Sequence, residues 1–263
     1  MGTSRHAADE VMAHLPDADF WRPAHDGDMR ESTDGTAPDL SPAERLMAIG
    51  RDREAVAAAT KQHETTPHGG NMDGARQLDE LMPLLHGLVD RLSPEQLDDP
   101  TPCANFTVTG VLEHMIGGAT AFAPMFRGET APASEAGDIT TGTLPDRWRT
   151  AMVDLLDAVH SEGAAERTIA APFGNVPGSV FARFVAFDGL VHGWDLATAT
   201  RQRYAPPEDL IREVGTFAHQ ALVPAMRDGE TFAVETAAPA DAGALERLVA
   251  FSGRQLNSRK VTP

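Results

Sequence analysis

Asp188 and His192, four positions apart, are the residues from which chemistry can be argued first. They lie in Phe184-Val185-Ala186-Phe187-Asp188-Gly189-Leu190-Val191-His192-Gly193-Trp194-Asp195-Leu196-Ala197, where apolar residues recur at Val180, Phe184, Phe187, Val191 and Ala197. That spacing is helical, and on a helix positions i and i+4 stack one turn apart on one face. Here the shared face is also the apolar one. A carboxylate and an imidazole on a buried face need partners, because an unpaired buried charge is costly. Two arrangements satisfy them: a salt-bridged Asp beside a hydrogen-bonded core His, or a divalent metal bound by both. A third donor is available in His114, within Phe106-Thr107-Val108-Thr109-Gly110-Val111-Leu112-Glu113-His114-Met115-Ile116. Two His and one carboxylate leave an open position for water or substrate. That donor set suits catalytic zinc first, with nickel or iron as the other candidates.

The elements that must hold these residues read as helices. Val108, Val111, Leu112, Met115 and Ile116 form an amphipathic stripe beside His114, opened by a capping Thr107. Residues 73–92 predict an earlier helix with Leu78, Leu81, Met82, Leu85, Leu88 and Leu92 inward; Pro83 should kink it or mark a late start. Ser93 to Leu97 predicts a short helical turn. Leu144-Pro145-Asp146 opens a further helix that buries Trp148, Met152, Leu155, Leu156 and Val159, and His160 at its end is expected to cap carbonyls. The stretch from Gly128 to Thr143 reads as a flexible connection near a pocket mouth, and Ile169 to Val176 as an extended loop. Beyond Thr200, Ala205-Pro206-Pro207-Glu208 starts a helix with Leu210, Ile211, Val214, Phe217, Ala221 and Leu222 on one side. Thr231 to Thr236 alternates like a short strand, and Asp241 to Phe251 predicts a last helix. Cys103, in the loop before the His114 helix, is either a structural residue or a nucleophile or ligand through its thiolate; the structural reading is favoured.

Several of these stretches together carry a resemblance. Thr101-Pro102-Cys103, Phe106-Thr107-Val108 and His114 resemble the opening motif of the DinB-like, mycothiol-dependent maleylpyruvate isomerase superfamily. Pro172-Phe173-Gly174-Asn175-Val176-Pro177-Gly178 with Val191-His192-Gly193-Trp194-Asp195-Leu196-Ala197 resembles its second motif, and Leu248-Val249-Ala250-Phe251-Ser252-Gly253-Arg254 its ending. The resemblance runs from about Met72 to Arg254. It implies a mainly α protein whose core is a DinB-like four-helix bundle, with a metal held by a His on the second helix and an acid-x-x-x-His pair on the fourth. Carried over position by position, the metal ligands are His114, Asp188 and His192. Phe106 stands where the family usually has Trp, and Asp188 where the characterised isomerase has the longer Glu. In that isomerase the thiol of mycothiol adds to a cis-alkene and rotation follows, while relatives transfer low-molecular-weight thiols. The implied function is thus a metal-dependent isomerase or thiol S-transferase, with mycothiol as a candidate cofactor. The alternatives are a metal-dependent hydrolase or lyase of a biosynthetic pathway, and a non-catalytic metal-binding protein. Two further residues are candidates for catalysis. Asp195 is an orienter behind the ligands or a helix cap; Arg254 binds an anionic substrate or thiol carboxylate, or is an ordinary surface Arg.

On these readings the chain divides into an irregular N-terminal extension over 1–70, the metal-binding bundle over 72–200 in up-down-down-up or similar order, and a small α+β region over 205–263. Within the extension, Asp26 to Pro42 reads as loop or disorder, Ser41-Pro42-Ala43-Glu44 as the capping box of a helix reaching about Thr60, and five scattered His as solvated side chains. The 263 residues carry 39 acids against 22 Lys and Arg, a net charge of −17. Such a surface repels nucleic acid and anionic membranes, so the expected partners are a small-molecule substrate and a low-molecular-weight thiol, on a monomer or homodimer. No run approaches the roughly 18 apolar residues of a membrane span, and no secretory leader is visible. A single Cys rules out an intramolecular disulfide and fits a cytoplasmic protein.

Overall fold

The computed structural model describes residues 72–104, 106–129, 142–171, 174–222, 227 and 233–256. The extension over 1–70, most of the Gly128–Thr143 connection, and Thr231 and Phe232 of the alternating stretch therefore lie outside the described residues. Four helices make the bundle: α1 (Gly74–Val89), α2 (Val108–Arg127), α3 (Leu144–Val159) and α4 (Gly178–Thr200). Two more, α5 (Glu208–Ala221) and α6 (Ala244–Phe251), pack outside it. Helix starts follow local chemistry. The side chains of Asp73, Thr107 and Thr143 accept hydrogen bonds from the third backbone N–H of α1, α2 and α3. Pro83 does not delay α1, which starts at Gly74 under its Asp73 cap and continues past the proline. The expected helical turn after it is a 3-10 segment, Pro94–Gln96.

Side-chain pairs fix the direction of each helix. Gly74 lies against Ala182 and Arg183, and Gly189 against Leu81 and Leu85, so α1 and α4 run parallel. Glu113 pairs with Arg147 and Arg127 with Asp154, which makes α2 and α3 parallel. Asp79 meets His160 and Asp90 meets Arg149 across an antiparallel α1–α3 contact. Phe122 stacks edge-on against Phe181, and His114 meets Asp188, across an antiparallel α2–α4 contact. The bundle is therefore up-down-down-up. These ion pairs are partly exposed and individually worth about 0–1 kcal/mol, so they record register more than they supply stability. The stability comes from the interior, where Leu78, Leu81, Leu85, Leu112, Trp148, Met152, Phe181 and Leu190 are almost wholly buried.

α4 is apolar nearly all round, because α5 covers the side that the other bundle helices leave open, with Phe217 edge-on to Phe184. A two-stranded antiparallel sheet, β1 (Thr168–Ala171) with β2 (Gly174–Pro177), leads into α4. The expected loop over 169–176 is thus a hairpin. Ile169 pairs with Val176, and both are buried. Four-residue strands broken by Gly and Pro are too short to leave an alternation in the sequence. Conversely, Ala233–Thr236 of the alternating stretch belongs to no ladder among the described residues; the Thr236 N–H donates instead to the Ala250 carbonyl of α6 at 2.9 Å. His160 does not use its side chain to cap α3. Its Nε2 lies 2.8 Å from Asp79 on α1.

Gly193 is tightly packed beside the site. A Cβ there would sit 2.5 Å from the Tyr204 hydroxyl and 2.8 Å from Leu85 Cδ2, and that hydroxyl donates to the Leu190 carbonyl. Gly193→Ala should therefore cost about 1–3 kcal/mol in urea unfolding, and less in a Tyr204→Ala background. Equal costs in the two backgrounds would contradict the contact.

Candidate metal centre

The antiparallel α2–α4 contact brings His114, Asp188 and His192 together, with one donor atom from each all within 4.8 Å of one another. His114 Nε2 is 3.5 Å from one Asp188 oxygen and His192 Nε2 is 3.4 Å from the other. Ligands about 2.1 Å from a tetrahedral ion are separated by roughly 3.4 Å, and each imidazole meets one oxygen of the Asp188 carboxylate at close to that spacing. The imidazoles of His114 and His192 meet edge-on at 4.9 Å, and the Phe106 ring lies 5.4 Å from the first and 6.3 Å from the second. The Asp188 side chain keeps 34% of its surface accessible, whereas that of His192 keeps 4%. The carboxylate is therefore the accessible side of the cluster.

Behind His192 lies a second layer. Asp195, fully buried, faces His192 Nδ1 at 3.0 Å, and Arg254 donates to Asp195 at 2.9 Å. Burial pushes the Asp195 carboxyl up, but the Arg254 charge and the His192 hydrogen bond outweigh it and hold it below the usual range. An ionised carboxylate only accepts, so the proton faces it from Nδ1 and the Nε2 lone pair of a neutral imidazole points at the cluster. Arg254 comes from outside the bundle. Two residues past the end of α6, Gly253 has a φ of 95°, a left-handed conformation, and the Arg254 N–H returns to the Val249 carbonyl at 3.0 Å. That turn aims the guanidinium back onto α4.

Without a metal, the cluster is a proton site. Burial alone would lower His192, but the Asp188 charge and hydrogen bond outweigh it and raise the imidazole to about 9. Burial would likewise raise Asp188, yet the two imidazoles, His192 before His114, hold it well below the carboxylate range. A metal entering here must displace the proton that His192 otherwise carries.

All five residues singled out in the sequence, His114, Asp188, His192, Asp195 and Arg254, thus meet in one place. Cys103 is a partly buried free cysteine. What the sequence did not reveal is the Asp195–Arg254 pairing and the Tyr204 side chain over Gly193. Both join residues that no local spacing connects.

Fold and site together define a class: up-down-down-up helical bundles with a two-His, one-carboxylate cluster between the second and fourth helices. The chain belongs to the family described as the mycothiol maleylpyruvate isomerase N-terminal domain, whose model matches residues 78–197. It is 31% identical over 172 residues to an uncharacterized protein of Mycobacterium tuberculosis strain CDC 1551, covering 64% of this chain and 90% of that one. An uncharacterized protein of strain H37Rv matches with the same identity and coverage. No solved structure matches the chain. No helix among the described residues is long and apolar enough to cross a membrane.

The raised His192 sets a pH dependence for the metal-free protein. Its contribution to stability is fully present below about 6.5, the unperturbed value, and is lost as pH rises through about 9. Chelator-treated protein should lose up to about 3 kcal/mol of unfolding free energy across that window, and His192→Gln should not. Equal profiles for the two proteins would show that His192 does not hold the extra proton.

Proposed function

We propose that the protein is a metal-dependent enzyme that joins a low-molecular-weight thiol, mycothiol by family, to a small-molecule substrate as an isomerase or thiol S-transferase. The observation that carries this reading is the convergence of three donors within 4.8 Å of one another, one of them facing a buried carboxylate through its other ring nitrogen. His114, Asp188 and His192 would hold a divalent ion, zinc by the donor set. When bound, such an ion favours the thiolate over the thiol and polarises a carbonyl. Asp195 is a positioning residue that keeps His192 Nε2 directed at the cluster. Arg254 positions Asp195, and its buried engagement there speaks against an ordinary surface role. The partly accessible Asp188 side supports an opening for thiol or substrate.

Metal content by mass spectrometry should fall to background in His114→Ala, Asp188→Ala and His192→Ala, and remain in His86→Ala and His160→Ala. Asp195→Asn should keep the fold and lower metal affinity about 10- to 100-fold, as loss of an outer partner of a ligating imidazole does. Because only the folded protein holds the ion, chelation should lower the melting temperature. On a panel of electrophilic alkenes and thioesters, turnover should require both the metal and mycothiol. Turnover that needs the metal but no thiol would move the assignment to a hydrolase or lyase. Unchanged metal content in all three ligand variants would leave the cluster as a structural salt bridge.

A further inference from the structure

The bundle core is not filled to its end. A cavity of about 40 Å³ lies between all four bundle helices, touching Leu81 and Met82 of α1, Met115 and Ala119 of α2, Met152 of α3 and Phe181 of α4. His114 and Asp188 close one end of it, while His192, Asp195 and Arg254 do not line it. The cavity therefore opens from the accessible edge of the donor cluster and runs along the helix axes away from it. Apart from His114 and Asp188, no lining residue is ionisable. A carboxylate or phosphate in that space would be a buried charge without a partner, which is strongly disfavoured. Arg254, a cation close to the centre, is engaged with Asp195 on the opposite face of His192.

We propose that the substrate of this centre carries an unbranched apolar arm that lies in this cavity while its polar head sits at the donor cluster, and that a charged group on that arm is excluded. This rests on the metal-centre reading above and adds the chemical class of the substrate. A single water needs roughly 10–15 Å³ of such volume, so the space corresponds to about three waters or a chain of roughly three to four carbons. Met82, Met115 and Met152 supply flexible thioether walls that adjust to a bound chain. Ala119 and Gly118 keep the α2 wall low, and Gly189 does the same on α4.

The test uses the full chain loaded with Co²⁺ and a series of n-alkanethiols from ethanethiol to hexanethiol, with thiolate binding read from the cobalt absorption bands. Affinity should rise about fourfold for each methylene buried, then level off once the cavity is full. A mercaptocarboxylate of matching length should lose that gain. Ala119→Phe, which fills the cavity, should flatten the series, and Met82→Ala, which enlarges it, should move the plateau to a longer thiol. A flat series in the wild-type protein, or an unchanged slope in Ala119→Phe, would overturn the proposal. Should Ala119→Phe fail to fold, the wild-type slope and the Met82→Ala plateau decide it alone. Cobalt uptake is measured before any thiol is added, so failure to load refutes the metal reading and is distinct from failure of the chain-length dependence.

Discussion

His192 is buried between two carboxylates, and the arrangement of the molecule follows from what that imidazole requires. On its Nδ1 side it meets Asp195, itself held by Arg254; on its Nε2 side it meets Asp188, shared with His114. One imidazole cannot serve two ionised carboxylates while neutral. It either carries a second proton, as its raised pKa of about 9 indicates, or yields that proton to a cation that Asp188 and both His can share. With Asp188 ionised, the site is therefore prepared for positive charge.

The bundle supplies the geometry. Antiparallel packing of α2 on α4 puts His114 across from the Asp188–His192 turn, and edge-on contacts such as Phe122 with Phe181 fix that register further along the same helices. α6 lies outside the bundle yet completes the site, because its left-handed exit at Gly253 delivers Arg254 to Asp195. Tyr204, just past the end of α4, folds back over Gly193. Asp195 supports His192 from one ring nitrogen, while the free volume lies beside Asp188 and His114.

Much of this was legible in the sequence. The Asp188–His192 spacing, the stripe beside His114 and the capping Thr107 are local patterns, and local patterns survive in a single chain of letters. The four-helix bundle and the ligand set came with the family resemblance, and the family match over 78–197 bears out that resemblance itself. The roles of Asp195 and Arg254 stayed open, because a contact across 59 positions leaves no periodicity. The hairpin over Thr168–Pro177 was hidden for the opposite reason, its strands being too short for alternation to register. The end-of-helix position of His160 points to a carbonyl cap, whereas its partner Asp79 lies on another helix. The cavity could not be read at all, since it is a property of how four apolar faces meet and not of any one of them.

The central claim is that His114, Asp188 and His192 hold a divalent metal, and anomalous X-ray scattering from crystals of the purified protein tests it most directly. The account predicts one anomalous peak about 2.0–2.2 Å from His114 Nε2, His192 Nε2 and an Asp188 oxygen, with Asp195 still on His192 Nδ1 and not on the metal. Crystals grown with added zinc that show the three side chains paired only with one another, and any anomalous peak elsewhere, would contradict it.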